Sequence, residues 1–146
     1  MSYYHHILVG LDLSPESQLV IDHVKELFHD RDIRISLIHV QEPLSFAYGG
    51  DIPMDLSEVQ TQMEEQARVR LDHFCEELGL TSADRHVVIG QPAQEMHNFA
   101  RDNEVDLTVV GSHGRHGLAL IFGSTASGVL HGAVCDVLAV RIPKQK

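Results

Sequence analysis

The run His6-Ile7-Leu8-Val9-Gly10-Leu11-Asp12 decides how the rest of the chain is read. Its near-continuous apolar character predicts a strand buried on both faces, the kind found inside a parallel sheet. Ser14-Pro15-Glu16-Ser17 follows at once, with Ser14 as a helix N-cap and Pro15 at the first helical position. The helix then extends to about His29, with Leu19, Val20, Val24, Leu27 and Phe28 on one face.

Moving outward, the same alternation repeats. Ile33 to Val40 predicts a second strand, and His39 near its end reads as a satisfied core histidine. Gln41 to Met54 carries Pro43, Gly49, Gly50 and Pro53 and reads as a long loop, either a lid or partner surface or a plain excursion. A helix over Asp55 to Leu78 places Met63, Ala67, Leu71, Phe74 and Leu78 at core spacing and stops at Gly79 as its C′ residue. His86 to Ile89 predicts a third strand, Ala93 to Asn103 a helix, and Leu107 to Val110 a fourth strand. A last helix near Ser124 to Ala133 leads to a fifth strand, Val137 to Ile142. Strict alternation of strand and helix predicts one α/β domain over residues 1–146, an open parallel sheet with helices on both faces.

Composition narrows the function. Of 146 residues, 21 are Asp or Glu and 11 are Lys or Arg, giving a net charge of −10. That balance opposes general nucleic-acid binding, which rests on basic groups displacing phosphate counterions, and opposes an anionic membrane surface. No apolar run approaches the roughly 18 to 20 residues that span a bilayer. Met1-Ser2-Tyr3-Tyr4-His5-His6 has neither a basic n-region nor a small-residue cleavage site, so a cytoplasmic protein is expected. Cys75 and Cys135 form no metal or redox spacing and are expected to be reduced thiols, Cys135 as a small buried hydrophobe.

The chemistry concentrates after the fourth strand. Six of the eleven glycines fall between Gly111 and Gly132. Gly111-Ser112-His113-Gly114-Arg115-His116-Gly117 leads, through Leu118 to Phe122, into Gly123-Ser124-Thr125 at a helix start. In open α/β sheets ligands bind beyond the carboxyl ends of the strands. Glycine admits close backbone approach, and a helix N-terminus turns free N–H groups toward phosphate. Ser124 and Thr125 add hydroxyl donors, and Arg115 or His116 can lie beside the charge. The plain alternative is that these glycines serve turns and tight helix packing, as Gly128 and Gly132 are expected to do. Asp12, at the same sheet edge, is either a contact to a ribose hydroxyl or phosphate-bound metal, or a cap for the helix beginning near Pro15; the two roles are compatible.

These segments carry a family resemblance over residues 4 to 143. Ile7-Leu8-Val9-Gly10-Leu11-Asp12-Leu13-Ser14-Pro15-Glu16-Ser17, Ser36-Leu37-Ile38-His39-Val40, Asp106-Leu107-Thr108-Val109-Val110-Gly111 and Cys135-Asp136-Val137-Leu138-Ala139-Val140-Arg141 resemble, in order, the universal stress proteins of the UspA superfamily. The resemblance implies a sheet of order 3-2-1-4-5, of the adenine nucleotide alpha-hydrolase-like type, and a homodimer formed through Val137–Ile142. An exposed apolar edge strand invites that pairing on its own account, and a charge at Val140 is expected to disturb it.

One branch of the family binds ATP through Gly-x2-Gly-x9-Gly-Ser/Thr, and the branch around UspA itself lacks the motif. This chain has Gly111, Gly114, Gly123 and Ser124, with eight residues, Arg115 to Phe122, where the motif has nine. By similarity Gly10, Leu11 and Asp12 line the nucleotide pocket and Val40 flanks the adenine. The expected site is therefore Gly10, Leu11, Asp12, Val40, Gly111, Ser112, His113, Gly114, Arg115, Gly123, Ser124 and Thr125, holding ATP, ADP or AMP with Mg²⁺. The alternative the family offers is a UspA-like dimeric interaction protein without nucleotide, working through a protein partner.

Other constellations are weaker. His113 and His116 lack the Cys or carboxylate partners of a zinc site, so no metal ligand set is expected. Gly111-Ser112-His113-Gly114 has the wrong spacing for a nucleophile elbow, and no general base stands out. At most slow ATP hydrolysis or self-phosphorylation is expected.

Overall fold

The computed structural model describes residues 3–28, 32–43, 57–112 and 128–143. Five strands, β1 (His6–Gly10), β2 (Arg34–Gln41), β3 (Arg85–Ile89), β4 (Leu107–Gly111) and β5 (Asp136–Val140), form one sheet in the order β3-β2-β1-β4-β5. Every neighbouring pair is parallel. The expected open parallel sheet of order 3-2-1-4-5 is present.

Three helices are fully described: α1 (Ser17–Leu27), α2 (Ser57–Leu78) and α3 (Pro92–Asp102). Residues alternate between sheet faces along each strand. Ile7, Val9, Ile35 and Leu37 pack with Val20, Ile21 and Val24 of α1 and with Ala67, Leu71 and Phe74 of α2. Leu8 and Ile38 pack on the other face with Ala93, Met96 and Ala100 of α3 and with Val129. Both faces of β1 are thereby sealed, which explains its unbroken apolar run. Leu71, with no exposed surface, contributes about 1.5–3 kcal/mol by burial alone.

Several boundaries differ from the sequence reading. Helix α1 begins at Ser17, behind a turn in which the Ser17 N–H donates to Ser14 O at 3.0 Å. Ser14 is therefore not the N-cap. Its own N–H is drawn to the Asp12 carboxylate at 2.9 Å, and Leu13 takes a left-handed φ of 62°. The buried stripe of α1 is Ser17, Val20, Ile21 and Val24, which leaves Leu19 and Leu27 exposed. Gly79 ends α2 at φ +72°, as expected of a C′ glycine, and Leu80 N–H reaches back to Cys75 O at 2.8 Å.

Strand β1 stops at Gly10 rather than Asp12. Strand β2 runs through Gln41, which pairs with Ile89, so Gln41 belongs to the sheet and not to the following loop. Strand β5 spans Asp136–Val140, earlier than Val137–Ile142. Its Val140 is buried between Gly111 and the α1–α2 layer, so a charge there would strike the core before any partner. Asp136 and Ala139 are the exposed residues of that strand.

Candidate functional site

The order of the sheet changes direction at β1. From β1 the chain crosses to β2 and β3 on one side, then returns to β4 and β5 on the other. The carboxyl ends of β1 and β4 are consequently adjacent. A crevice at such a switch point is the general ligand site of open α/β sheets. Gly10, Leu11 and Asp12 leave β1 there, and Gly111 and Ser112 leave β4 beside them. Val40 lies near the carboxyl end of β2, across β1, half-buried and paired with Val88.

Each of these residues also has a structural task. A Cβ on Gly10 would lie 2.9 Å from the Met96 Sδ, so glycine here lets α3 approach the sheet. At Gly111 a Cβ would meet Ile142 Cγ1 at 3.3 Å. Leu11 is buried, its N–H donating to Ile38 O at 3.0 Å and its carbonyl accepting from His39 Nδ1 at 2.8 Å. His39 is thus the satisfied histidine expected from its place in the strand, and the bond fixes the proton on Nδ1. The Ser112 hydroxyl accepts the Ile142 N–H at 3.0 Å, and Ser112 N–H donates to Val140 O at 2.8 Å. Ser112 is therefore committed to the chain leaving β5.

Asp12 is half-buried, and both its bonds end on one oxygen: Oδ1 accepts Ser14 N–H at 2.9 Å and the Ser17 hydroxyl at 3.3 Å. Asp12 thus closes the turn ahead of α1 instead of capping the backbone N–H groups of the helix, whose N-cap, Glu16, makes no side-chain capping bond. That arrangement leaves Oδ2 as the oxygen suited to a ribose hydroxyl or a cation. His113, Gly114, Arg115, Gly123, Ser124 and Thr125, with most of the 41–54 loop, lie outside the described residues. Among the described residues no three His, Cys, Asp or Glu side chains are grouped to hold a metal, and no helix is long and apolar enough to cross a membrane.

Gly128 and Gly132 match the packing reading. A Cβ at Gly128 would lie 2.8 Å from Ala93 Cβ, and Gly132 turns at φ +78° beside His97. Cys135 is half-buried, its Sγ 3.4 Å from Thr108 Oγ1. Burial raises the Cys75 thiol to about 11, so it stays protonated at neutral pH.

At the opposite, amino edge of the sheet lies a polar cluster that the sequence reading did not single out. His6 Nδ1 donates to Asn103 O at 3.0 Å while Nε2 accepts the Ser36 hydroxyl at 2.8 Å, an arrangement that suits the neutral ring. Burial lowers its pKa. His86 stacks obliquely on Phe99 at 4.7 Å, its Nε2 is buried without a partner, and burial lowers its pKa too. Asp106 accepts the His5 and His6 N–H groups at 2.8 and 3.0 Å; burial works against its charge, but these bonds hold its carboxyl below the usual range.

The molecule is thus a doubly wound α/β protein with a topological switch point between β1 and β4. Residues 3–141 match the Universal stress protein family. The chain is 42% identical over 146 residues to universal stress protein A homolog 2 of Coxiella burnetii, covering 97% of this chain and 98% of that one. It belongs to the universal stress protein family. Its fold is also that of hypothetical protein MJ0577, at TM-score 0.82 and 24% identity over 99% of this chain and 100% of that one. A universal stress protein solved in complex with cAMP superposes at TM-score 0.62 and 22% identity, over 95% of this chain and 98% of the other.

Proposed function

We propose that the chain, as one unit over residues 1–146, is a cytoplasmic, homodimeric regulatory module that binds an adenine nucleotide. The observation that carries this reading is the position of Gly111: it closes β4 beside the carboxyl end of β1, and Gly114, Gly123 and Ser124 follow it in sequence. The phosphates would rest on Gly111–Gly114 and on the helix start at Gly123–Thr125, where backbone N–H groups and hydroxyls donate. Arg115 and His113 would lie beside their charge. Asp12 Oδ2 would meet a ribose hydroxyl or a phosphate-bound Mg²⁺, and Val40 would flank the base. Support comes also from a same-fold universal stress protein that holds cAMP.

ATP, ADP or AMP would supply an exchangeable charge at the crevice. The sequence offers no nucleophile-elbow motif there, and the module is proposed to signal, with at most slow ATP hydrolysis or self-phosphorylation. Equilibrium dialysis against labelled ATP with Mg²⁺ tests the reading. Saturable binding near one ATP per chain, lost in Gly123→Val, is expected; no binding up to millimolar ATP in nucleotide-free protein would overturn it. One observation favours a second reading, a dimeric interaction protein without nucleotide: the spacing of eight residues between Gly114 and Gly123.

A further inference from the structure

Gln41 ends β2 at the carboxyl edge of the sheet and is 5% exposed. Its backbone is fully used, pairing with β3 and accepting the Gly90 N–H at 3.0 Å. Its side chain is not: both Nε2 and Oε1 are buried and neither has a hydrogen-bond partner among the described residues. A primary amide carries two donors and an acceptor, and burying them without a partner is costly for a core. Native proteins keep few such groups, and those they keep ask for an explanation.

Position supplies one. By strand alternation Gln41 shares a sheet face with Leu37 and His39. His39 reaches from that face to the Leu11 carbonyl, the start of the β1 exit loop that holds Asp12. Gln41 lies one step further toward the carboxyl edge, next to Val40. An apolar residue would serve a purely structural role there at lower cost, as Leu37 does four residues earlier. A carboxamide is suited to a partner that presents a donor beside an acceptor. The edge of adenine does this, with its 6-amino group next to a ring nitrogen, and Gln is one of the side chains that pairs with it through two bonds.

We propose that the Gln41 carboxamide is a specificity-determining residue, with Nε2 donating to a ring nitrogen of adenine and Oε1 accepting from its 6-amino group. This rests on the nucleotide-binding reading above. It assigns recognition of the base to a side chain, apart from the backbone-rich region that would hold phosphate. In the absence of ligand the amide destabilises the fold; in its presence both atoms are satisfied, so the site favours the ligand able to pair twice.

The test compares two ligands on two proteins. ATP and purine riboside 5′-triphosphate, which lacks the 6-amino group, are titrated with Mg²⁺ into wild type and Gln41→Leu. Wild type is expected to prefer ATP by at least tenfold, and Gln41→Leu to bind the two within twofold of each other. The ligand-free variant is expected to melt no lower than wild type, because it loses an unpaired amide. Should it fail to fold, Gln41→Met, unbranched and closer in shape, takes its place. An equal ATP preference in both proteins would overturn the role of Gln41 and leave nucleotide binding intact. Absence of binding by wild type to either triphosphate would overturn both readings.

Discussion

The backbone N–H of Ile142 donates to the Ser112 hydroxyl at 3.0 Å inside the protein, 30 residues away in sequence. With the Ser112 N–H on Val140 O, this bond extends the β4–β5 ladder beyond its last pair and packs Ile142 over Gly111. The start of the glycine-rich segment and the end of the edge strand are thereby one mechanical unit.

Ser112→Ala leaves the buried Ile142 N–H without its acceptor. A loss of about 1–3 kcal/mol in unfolding free energy is expected. Ser112→Thr, which keeps the hydroxyl, is expected to lose less. Urea unfolding of the two variants checks this; an Ala variant within about 0.5 kcal/mol of wild type, the range of an ordinary surface change, would contradict it.

Asp12 separates turn closure from ligand chemistry. Asp12→Asn keeps an oxygen that can accept from Ser14 N–H and Ser17, so its melting temperature should stay close to that of wild type. Asp12→Ala loses both bonds, at a cost of about 1 kcal/mol. If Oδ2 meets the ribose or Mg²⁺, Asp12→Asn weakens Mg-ATP binding severalfold despite an intact fold. Calorimetric titration paired with thermal melting reads the two effects apart, and unchanged affinity in both variants would remove Asp12 from the ligand site.

The buried histidines predict acid sensitivity. Above pH 7, His6 and His86 are neutral whether the chain is folded or not, and they add no pH dependence. As pH falls through the ordinary value of 6.5, the unfolded chain takes up protons that the folded one refuses, so stability declines toward the lower folded pKa values. Arg34 and Arg85 reinforce the refusal, while Asp84 and Asp106 oppose it. Asp106, also lowered, has the same sign in a more acidic window: its contribution is full above its ordinary 3.8 and is lost only as pH falls below that. Melting temperatures from pH 8 to 5 should decline, and His86→Phe should make the decline shallower; an identical slope would count against this account.

Ala139 tests the proposed dimer without attacking the core. It is exposed on β5, whereas Val140 beside it is 3% exposed. Each chain already carries a net charge of −10, so Ala139→Asp should weaken association at least tenfold by adding like charges across the pairing edge. Sedimentation equilibrium measures it. The same dissociation constant as wild type would place the interface elsewhere.

The apolar run of β1, the alternation of elements and Gly79 were legible because each expresses a local rule: two-sided burial, hydrophobic period, a left-handed stop. That is why the sheet, its parallel sense and most of its elements could be read from the chain, and why Gly10–Asp12 and Gly111–Ser112 could be assigned to one sheet edge. Local rules also misled. Ser14-Pro15 has the form of a helix start, but the Asp12 carboxylate captures the Ser14 N–H and moves the start to Ser17.

By itself, then, the sequence determined the class of fold and the sheet edge at which Gly10–Asp12 and Gly111–Ser112 come together, the edge to which the proposed ligand is assigned. Only the tertiary structure decided which of those residues are already committed. Ser112 is tied to Ile142, Leu11 to His39, and Gly10 packs against the Met96 thioether, while the Gln41 amide is buried with no bond among the described residues. The physical reason is distance along the chain. Hydrogen-bond satisfaction and close packing are settled between residues 28 to 86 positions apart in these pairs, where neither period nor propensity carries information.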